Sequence, residues 1–380
     1  IRDRLGSAEK RVDGRVYGLI SPHAGYIYSG AVAAYAYKQL EGQSYSTVII
    51  VGPSHHAYFK GASIPNYTHY KTPLGEVPLS PLAEELRNEP PFISLPAAHE
   101  KEHCIEVQLP FLQRVLENFS IVPIVTGNVD PEELASTIMK YWDEDTLIVA
   151  SSDLSHYHPY DEAVRIDSVC LDAFKTKNLS KLSGCEMCGD VAVRTLMMIA
   201  GYLNLDSEVL AYMNSGDVTG DKSRVVGYGA VAYYVGSLSD EQRSFLLNLS
   251  RATLEAWVAN GERVSVEVDD PKLTQPRATF VTLTEHGMLR GCMGSILPMK
   301  PLYQDVIDNT IRAASYDPRF RPVTPDELEH IEIEISVLTI PTLISVEDPS
   351  QYPNVIKVGR DGLIVSSHGR QGLLLPQVPV

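Results

Sequence analysis

The chain has 380 residues, 44% of them hydrophobic, and a formal net charge of -16, which is long enough for two domains with sizeable cores. Such acidity argues against nucleic acid as a partner, since phosphate contacts need a basic face, and no apolar run reaches the ~18 residues of a membrane span. Five cysteines, odd in number and unevenly spaced, do not make a disulfide framework and point to a reducing cytoplasm.

Residues 1–14 are charged and aperiodic and read as a lead-in; no signal peptide is visible, and the chain starts at Ile1, so a preceding targeting segment stays open. Short apolar runs at 16–21 and 47–51 predict buried strands flanking an Ala-rich helix over 30–40, a βαβ unit with a histidine just past each strand. A short strand is expected near 62–65, a loop over 67–79, a polar helix at 82–88 and a helix from 105 to about 118, with Pro110 early where it costs least. Strands at 120–125, 146–151, 208–213 and 225–235 alternate with helices at 132–142, 161–175 and 191–203. That alternation predicts an α/β domain with a mostly parallel sheet.

Gly236 to Asp240 marks a boundary, dividing the chain into 1–237 and 238–380. A capped helix over 241–260 follows, then hairpin strands at 278–283 and 288–293, a helix over 302–314 and further strands. This is a smaller α+β domain, and the chain has no internal repeat or low-complexity segment.

Eight of the 11 histidines precede residue 160, so imidazole chemistry is concentrated in the first domain. Parallel strands bring their C-terminal ends to one edge, where open α/β sheets bind ligands. The strand ends deliver His23, His55, Asp153 with His156, and Asp217 to that rim. Each alone is more simply a loop histidine, a helix cap or a turn residue. Together, two histidines and a carboxylate suit non-haem Fe(II), although zinc takes similar sets. His156 or His103 then serves as acid/base, because imidazole titrates near neutral pH.

His99-Glu100-Lys101-Glu102-His103 matches the H-E-x-x-H zinc-protease pattern, which requires a helix. The apolar helical period begins only at Ile105, so the segment reads as a loop or first turn that sends one histidine to the rim. Cys185-Glu186-Met187-Cys188 reads first as the start of the following helix and second as a redox pair. Tyr26, His56 and Cys188 are the residues expected to line the substrate side. No G-x-S-x-G elbow, phosphate loop or three-cysteine iron–sulfur cluster is present.

Ser21-Pro22-His23-Ala24-Gly25-Tyr26, Gly52-Pro53-Ser54-His55-His56, Glu102-His103-Cys104-Ile105-Glu106, Ser151-Ser152-Asp153-Leu154-Ser155-His156 and Asn214-Ser215-Gly216-Asp217 together resemble the Memo family across most of residues 15–236. That family resembles the class III extradiol dioxygenases in fold, which implies a metal at His23 and His55 with His156 in the acid/base position. Those dioxygenases use a glutamate as third ligand and some Memo proteins a cysteine. Neither stands at 214–221, so Asp217 is the expected substitute.

The second domain resembles the AMME family through Leu289-Arg290-Gly291-Cys292-Met293-Gly294, Asp317-Pro318-Arg319-Phe320 and the tail Gly372-Leu373-Leu374-Leu375-Pro376-Gln377. The fusion resembles proteins of the AmmeMemoRadiSam system, implying a radical-SAM protein as partner. Within this domain Arg290 and Cys292 are the candidate functional pair, a thiol beside a guanidinium; a tight Gly-bounded turn is the plainer alternative.

Three readings follow. The favoured one is a mononuclear-metal oxidoreductase acting on a small, aromatic substrate, with Fe(II) expected and zinc or copper as alternatives. The others are a non-catalytic module that holds a peptide or partner protein in the same cleft, and a zinc-type hydrolase whose metal lowers the pKa of a bound water to about 7.

Overall fold

A computed structural model of the chain describes residues 1–339, positions 348, 350, 352 and 356, and residues 362–367 and 370–375. It divides into two compact units, Ile1–Ser237 and Leu238–Val380. No helix among the described residues is long and apolar enough to cross a membrane.

The first unit contains, in chain order, α1 (Arg2–Ser7), β1 (Gly14–Ser21), α2 (Gly30–Lys38), β2 (Thr47–Pro53), β3 (Ala62–Ser63), β4 (His69–Thr72), β5 (Gly75–Pro78), α3 (Leu82–Arg87), β6 (Phe92–Ile93), α4 (Leu109–Val115), β7 (Ser120–Thr126), α5 (Pro131–Met139), β8 (Thr146–Ser151), β9 (His156–His158), α6 (Tyr160–Thr176), α7 (Asp190–Tyr202), β10 (Asp206–Asn214), α8 (Ser215–Thr219) and β11 (Val225–Gly236). The main sheet runs β10-β11-β1-β8-β2-β7-β3-β6, with β9 attached to β11. Its centre is parallel: β8 lies between β1 and β2, and Ala150 is in register with both Ile20 and Val51.

These three strands are buried over nearly their whole length, as expected for parallel strands covered on both faces. Val48, Ile50, Leu147 and Val149 face a core shared with Tyr37 of α2 and with Leu109 and Leu112 of α4. On the opposite face Tyr233 of β11 donates its hydroxyl to the Phe174 carbonyl of α6, and a Cβ at Gly18 would meet Leu196 of α7.

Three expectations are corrected. The lead-in forms helix α1, whose Leu5 is buried. The predicted loop at 67–79 contains the hairpin β4-β5, hidden from the sequence by its Pro and Gly content and four-residue strands. The predicted helix from 105 is a 3₁₀ turn at Glu106–Gln108 followed by α4, which ends at Val115.

The second unit opens with α9 (Asp240–Asn260), capped by the Ser239/Gln242 box, followed by β12 (Thr279–Glu285), β13 (Met288–Gly294), α10 (Leu302–Ser315), β14 (Ile331–Val337), β15 (Leu363–Ser367) and β16 (Arg370–Leu374). The sheet β13-β12-β14 is antiparallel, and α9 and α10 supply Leu254, Ala313 and Ala314 to the core against Val281 and Leu283. Pro376 and Gln377 of the apolar tail lie outside the described residues.

Candidate metal centre

His23 follows β1 and His55 follows β2, two strands separated by β8 and therefore about 10 Å apart. Their loops lean over the end of β8, bringing the two rings to a centroid separation of 5.1 Å at 80°. His103, just before the 3₁₀ turn, stacks on His55 at 5.3 Å and meets His23 edge-on at 5.5 Å. One donor atom from each of these three histidines lies within 4.8 Å of the others. Donors about 2.0–2.3 Å from one ion sit no more than roughly 4.5 Å apart, so the set fits a metal after a contraction of a few tenths of an ångström. The His23 end is closed, with 2% exposure, and the His103 side chain is open at 44%.

Buried hydrogen bonds select the tautomers. Ser151 Oγ donates to the Cys104 carbonyl at 2.7 Å and accepts from Gln108 Nε2 at 2.8 Å. Its proton being committed, its 2.9 Å contact with His23 Nδ1 makes that nitrogen the donor. The Glu102 carboxylate accepts from His55 Nδ1 at 2.9 Å and also from the backbone N–H groups of His55, His103 and Cys104. Both imidazoles therefore turn Nε2 toward the site, the arrangement that outer hydrogen bonds give metal-ligating histidines.

Beside this group stands Cys188, whose Sγ is 3.2 Å from His23 Nε2. Its backbone N–H donates to the Asp153 carbonyl, and the Asp153 N–H donates to its sulfur. Gly189 permits this approach, because a Cβ there would lie 2.6 Å from both the Ser151 carbonyl oxygen and Ser152 Cβ. Burial alone would raise the Cys188 pKa, but hydrogen bonds to His23 and His55 push it down to about 6. The same contact with Cys188, joined by Glu102, pushes His55 up to about 10. Burial opposes a charge on His23, yet Cys188 and Asp153 raise its pKa. Glu102 is held far below the usual carboxylate range by His55 despite its own burial. Burial and the charge of His23 lower His103. Without a metal these shifts favour a protonated His55 beside a Cys188 thiolate and the Glu102 carboxylate, and a cation would stand where the imidazole protons otherwise sit.

The sequence-derived candidates divide accordingly. His23 and His55 come together at the centre. His103, expected as an acid/base, stands among the donors. Cys188, expected to line the substrate side, is in direct contact with His23. Asp217 is corrected: its Oδ2 accepts from the Asn214 N–H in the capping box of α8 and its Oδ1 accepts from Tyr160 Oη. The reason is sheet order, since β10 is four strand spacings, about 19 Å, from β2 and His55.

Asp153 clamps two loops, its Oδ1 accepting from the backbone N–H groups of His23 and Ala24. His156 lies on β9 with its ring 5.9 Å from Tyr157, outside the three-histidine cluster. Tyr26 is half-buried and donates its hydroxyl to the Val107 carbonyl, whereas the exposed His56 ring stands 6.5 Å from His55. His99 is buried against Ser63, burial pushes it down to about 4, and no helix forms over 99–103, so the H-E-x-x-H pattern does not make a zinc helix. Glu102, Ser151 and Gln108 were given no role from the sequence; Glu102 and Ser151 stand in the runs that resemble the Memo family, and Gln108 carried no signal.

In the second unit Arg290 is held in a two-pronged ion pair by Glu327 and donates to the Arg321 carbonyl. Cys292 accepts from Thr282 Oγ1 at 3.3 Å, and its N–H donates to Asp317. The guanidinium nearer Cys292 is that of Arg319, which donates to the Cys292 carbonyl and pairs with Asp317.

Comparison with known proteins finds a family for each of the two units. The family model described as Memo-like protein matches residues 4–232, and that described as AMMECR1 matches residues 247–380. A MEMO1 family protein of Thermotoga maritima is 41% identical over 234 residues, covering 56% of this chain and 80% of that protein. MEMO1 family proteins of Sulfolobus acidocaldarius and Nitrosopumilus maritimus are 40% and 36% identical, over 56% and 57% of this chain and 81% and 84% of their own lengths. The solved structure of Uncharacterized Protein PH0010 from Pyrococcus horikoshii is 41% identical, covers 37% of this chain and 72% of its own, and has a TM-score of 0.36. The chain belongs to the Memo family, with the Memo-like domain followed in the same chain by an AMMECR1 domain.

Proposed function

We propose that the first unit is a mononuclear non-haem iron protein with oxidoreductase activity on a small, aromatic substrate. The observation that carries this reading is the convergence of one donor atom each from His23, His55 and His103, with the Cys188 sulfur 3.2 Å from His23 Nε2 beside them. Imidazole and thiolate together suit iron, copper and zinc and disfavour magnesium or calcium. Bound there, the metal would supply a redox-active Lewis-acid centre. The chain's own residues do the rest: Glu102 and Ser151 hold the imidazole tautomers, Asp153 fixes the His23 loop, and His156, outside the three-histidine group, moves protons.

Elemental analysis of anaerobically purified protein tests the reading. About one iron per chain is expected, lost in His23→Ala and Cys188→Ser; zinc in its place, without oxygen consumption, would favour the hydrolase reading. A binding module is the second alternative, and Tyr28, Tyr58 and Tyr157 favour it. These exposed aromatics stand on the loops that follow β1 and β2 and on the short strand β9, as on a peptide-binding rim. A protein without metal even after reconstitution would decide for that module.

We also propose a radical-SAM protein as partner, supported by the presence of both domains in one chain. Anaerobic affinity capture of the full chain from its host should bring down a fraction with an iron–sulfur chromophore; capture without one removes the proposal.

A further inference from the structure

The second unit contains a cavity of about 350 Å³ whose lining includes neither Arg290 nor Cys292. Its apolar wall is Trp257, Ile311 and Tyr316, and its charged rim is Arg263, Lys300 and Arg312. The two aromatic rings stand 6.5 Å apart at 47°, and Trp257 is fixed by a hydrogen bond from Nε1 to Ser315 Oγ. Tyr316 is 60% exposed and forms an open side.

The floor is a closed polar network. Buried Asp305 accepts from the Thr279 N–H, Thr279 Oγ1, Ser295 Oγ and Asn309 Nδ2. It is neutralised by no cation among these partners, yet each of its oxygens is bonded, so the floor asks nothing of a ligand. On the rim, Asp308 takes both Arg263 nitrogens on one oxygen and Lys300 on the other.

Arg312 is different. Its Nη1 donates to the Gly294 carbonyl and to Asn309 Oδ1, which fixes the guanidinium plane. Among the described residues its Nε and Nη2 have no protein acceptor and no carboxylate lies within ion-pair distance. That Nε/Nη2 edge is the fork that binds a carboxylate in two parallel hydrogen bonds. The cavity's three cations outnumber its two carboxylates by one positive charge, in a chain whose net charge is -16.

The Leu289–Gly294 motif explains how the fork is placed. A Cβ at Gly291 would lie 2.3 Å from the Ala313 carbonyl oxygen, so only glycine lets β13 lie this close on α10. That contact brings Gly294 and Ser295 under Asn309 and Arg312. The motif therefore has a structural use that does not require chemistry at Cys292.

We infer that this cavity is a binding site for a small monocarboxylate with an aromatic body, the carboxylate on the free edge of Arg312 and the ring against Trp257, Ile311 and Tyr316. One excess positive charge calls for a monoanion, and an apolar wall beside it calls for a flat hydrocarbon face.

The test uses 3-phenylpropionate as probe on the full-length chain carrying Trp142→Phe, so that emission reports Trp257. A saturable change is expected at millimolar probe. Arg312→Gln, at an exposed position, should weaken binding roughly 10–100-fold, the effect of removing a charge-assisted pair of hydrogen bonds, and Tyr316→Ala should weaken it several-fold with the fold intact by circular dichroism. No saturable change in the native background, equal binding to Arg312→Gln, or equal binding of uncharged 3-phenylpropanamide would each overturn the site. Inorganic phosphate competing as well as the probe would overturn the ligand class, since the aromatic wall would then contribute nothing.

Discussion

Glu102→Gln is the most informative substitution, because it changes one atom and keeps the shape. Glu102 Oε1 accepts from His55 Nδ1 and from the His103 and Cys104 N–H groups, while Oε2 accepts from the His55 N–H at 2.7 Å. A glutamine with its oxygen at the Oε1 position must turn its NH₂ toward the His55 N–H, setting donor against donor; the flipped amide sets it against three donors. Its side chain is 1% exposed, so water cannot repair the mismatch, and an unsatisfied buried donor costs about 1–3 kcal/mol.

The neutral amide also removes the charge that helps raise His55 to about 10. Loss of such an outer carboxylate typically lowers metal affinity about 10–100-fold, or roughly 1.4–2.7 kcal/mol. Competition for Fe(II) against a chromophoric chelator under anaerobic conditions measures this directly, with Co(II) spectra showing whether the donors still converge. Native affinity in Glu102→Gln, with the fold unchanged, would refute the view that this carboxylate orients His55.

Cys188 in metal-free protein should react with iodoacetamide with a midpoint near pH 6, set by His23 and His55, below the ~8.5 of a free thiol; His55→Ala should move the midpoint up, and a midpoint unchanged by that substitution contradicts the assignment. Asp217→Ala should retain the full metal content by elemental analysis and lose only about 1 kcal/mol of stability through the α8 cap; loss of metal would return Asp217 to the site. In the second unit, pairing with Arg319 holds Asp317 near 2 and pairing with Arg290 holds Glu327 near 2. Because both folded-state pKa values are depressed, their stabilisation is complete above the unfolded values of about 3.9 and 4.3 and disappears as pH falls toward 2. Urea unfolding followed by Trp257 emission should show this decline, flattened in Asp317→Asn; an equal decline in that variant excludes the Asp317 contribution.

Local chemistry made much of this protein legible from its sequence. Largely apolar runs at Val16–Ser21 and Thr47–Val51 need no partner to declare themselves buried parallel strands, and the Ser239/Gln242 box announces α9 by its own hydrogen bonds. Strand ends followed by histidine placed His23 and His55 at one rim, because parallel strands share an edge.

What the sequence did not contain was the order of strands across that rim. Asp217 follows a strand that ends at the correct edge, but β11 and β1 stand between it and β8. Cys188 lies in no strand, and its sulfur reaches His23 only because Gly189 lets its segment settle on β8. Glu102 and Ser151 act through hydrogen bonds to residues 47 and 128 positions away, a distance over which no local pattern carries information. Sequence determined which segments end in donors; tertiary packing decided which donors meet.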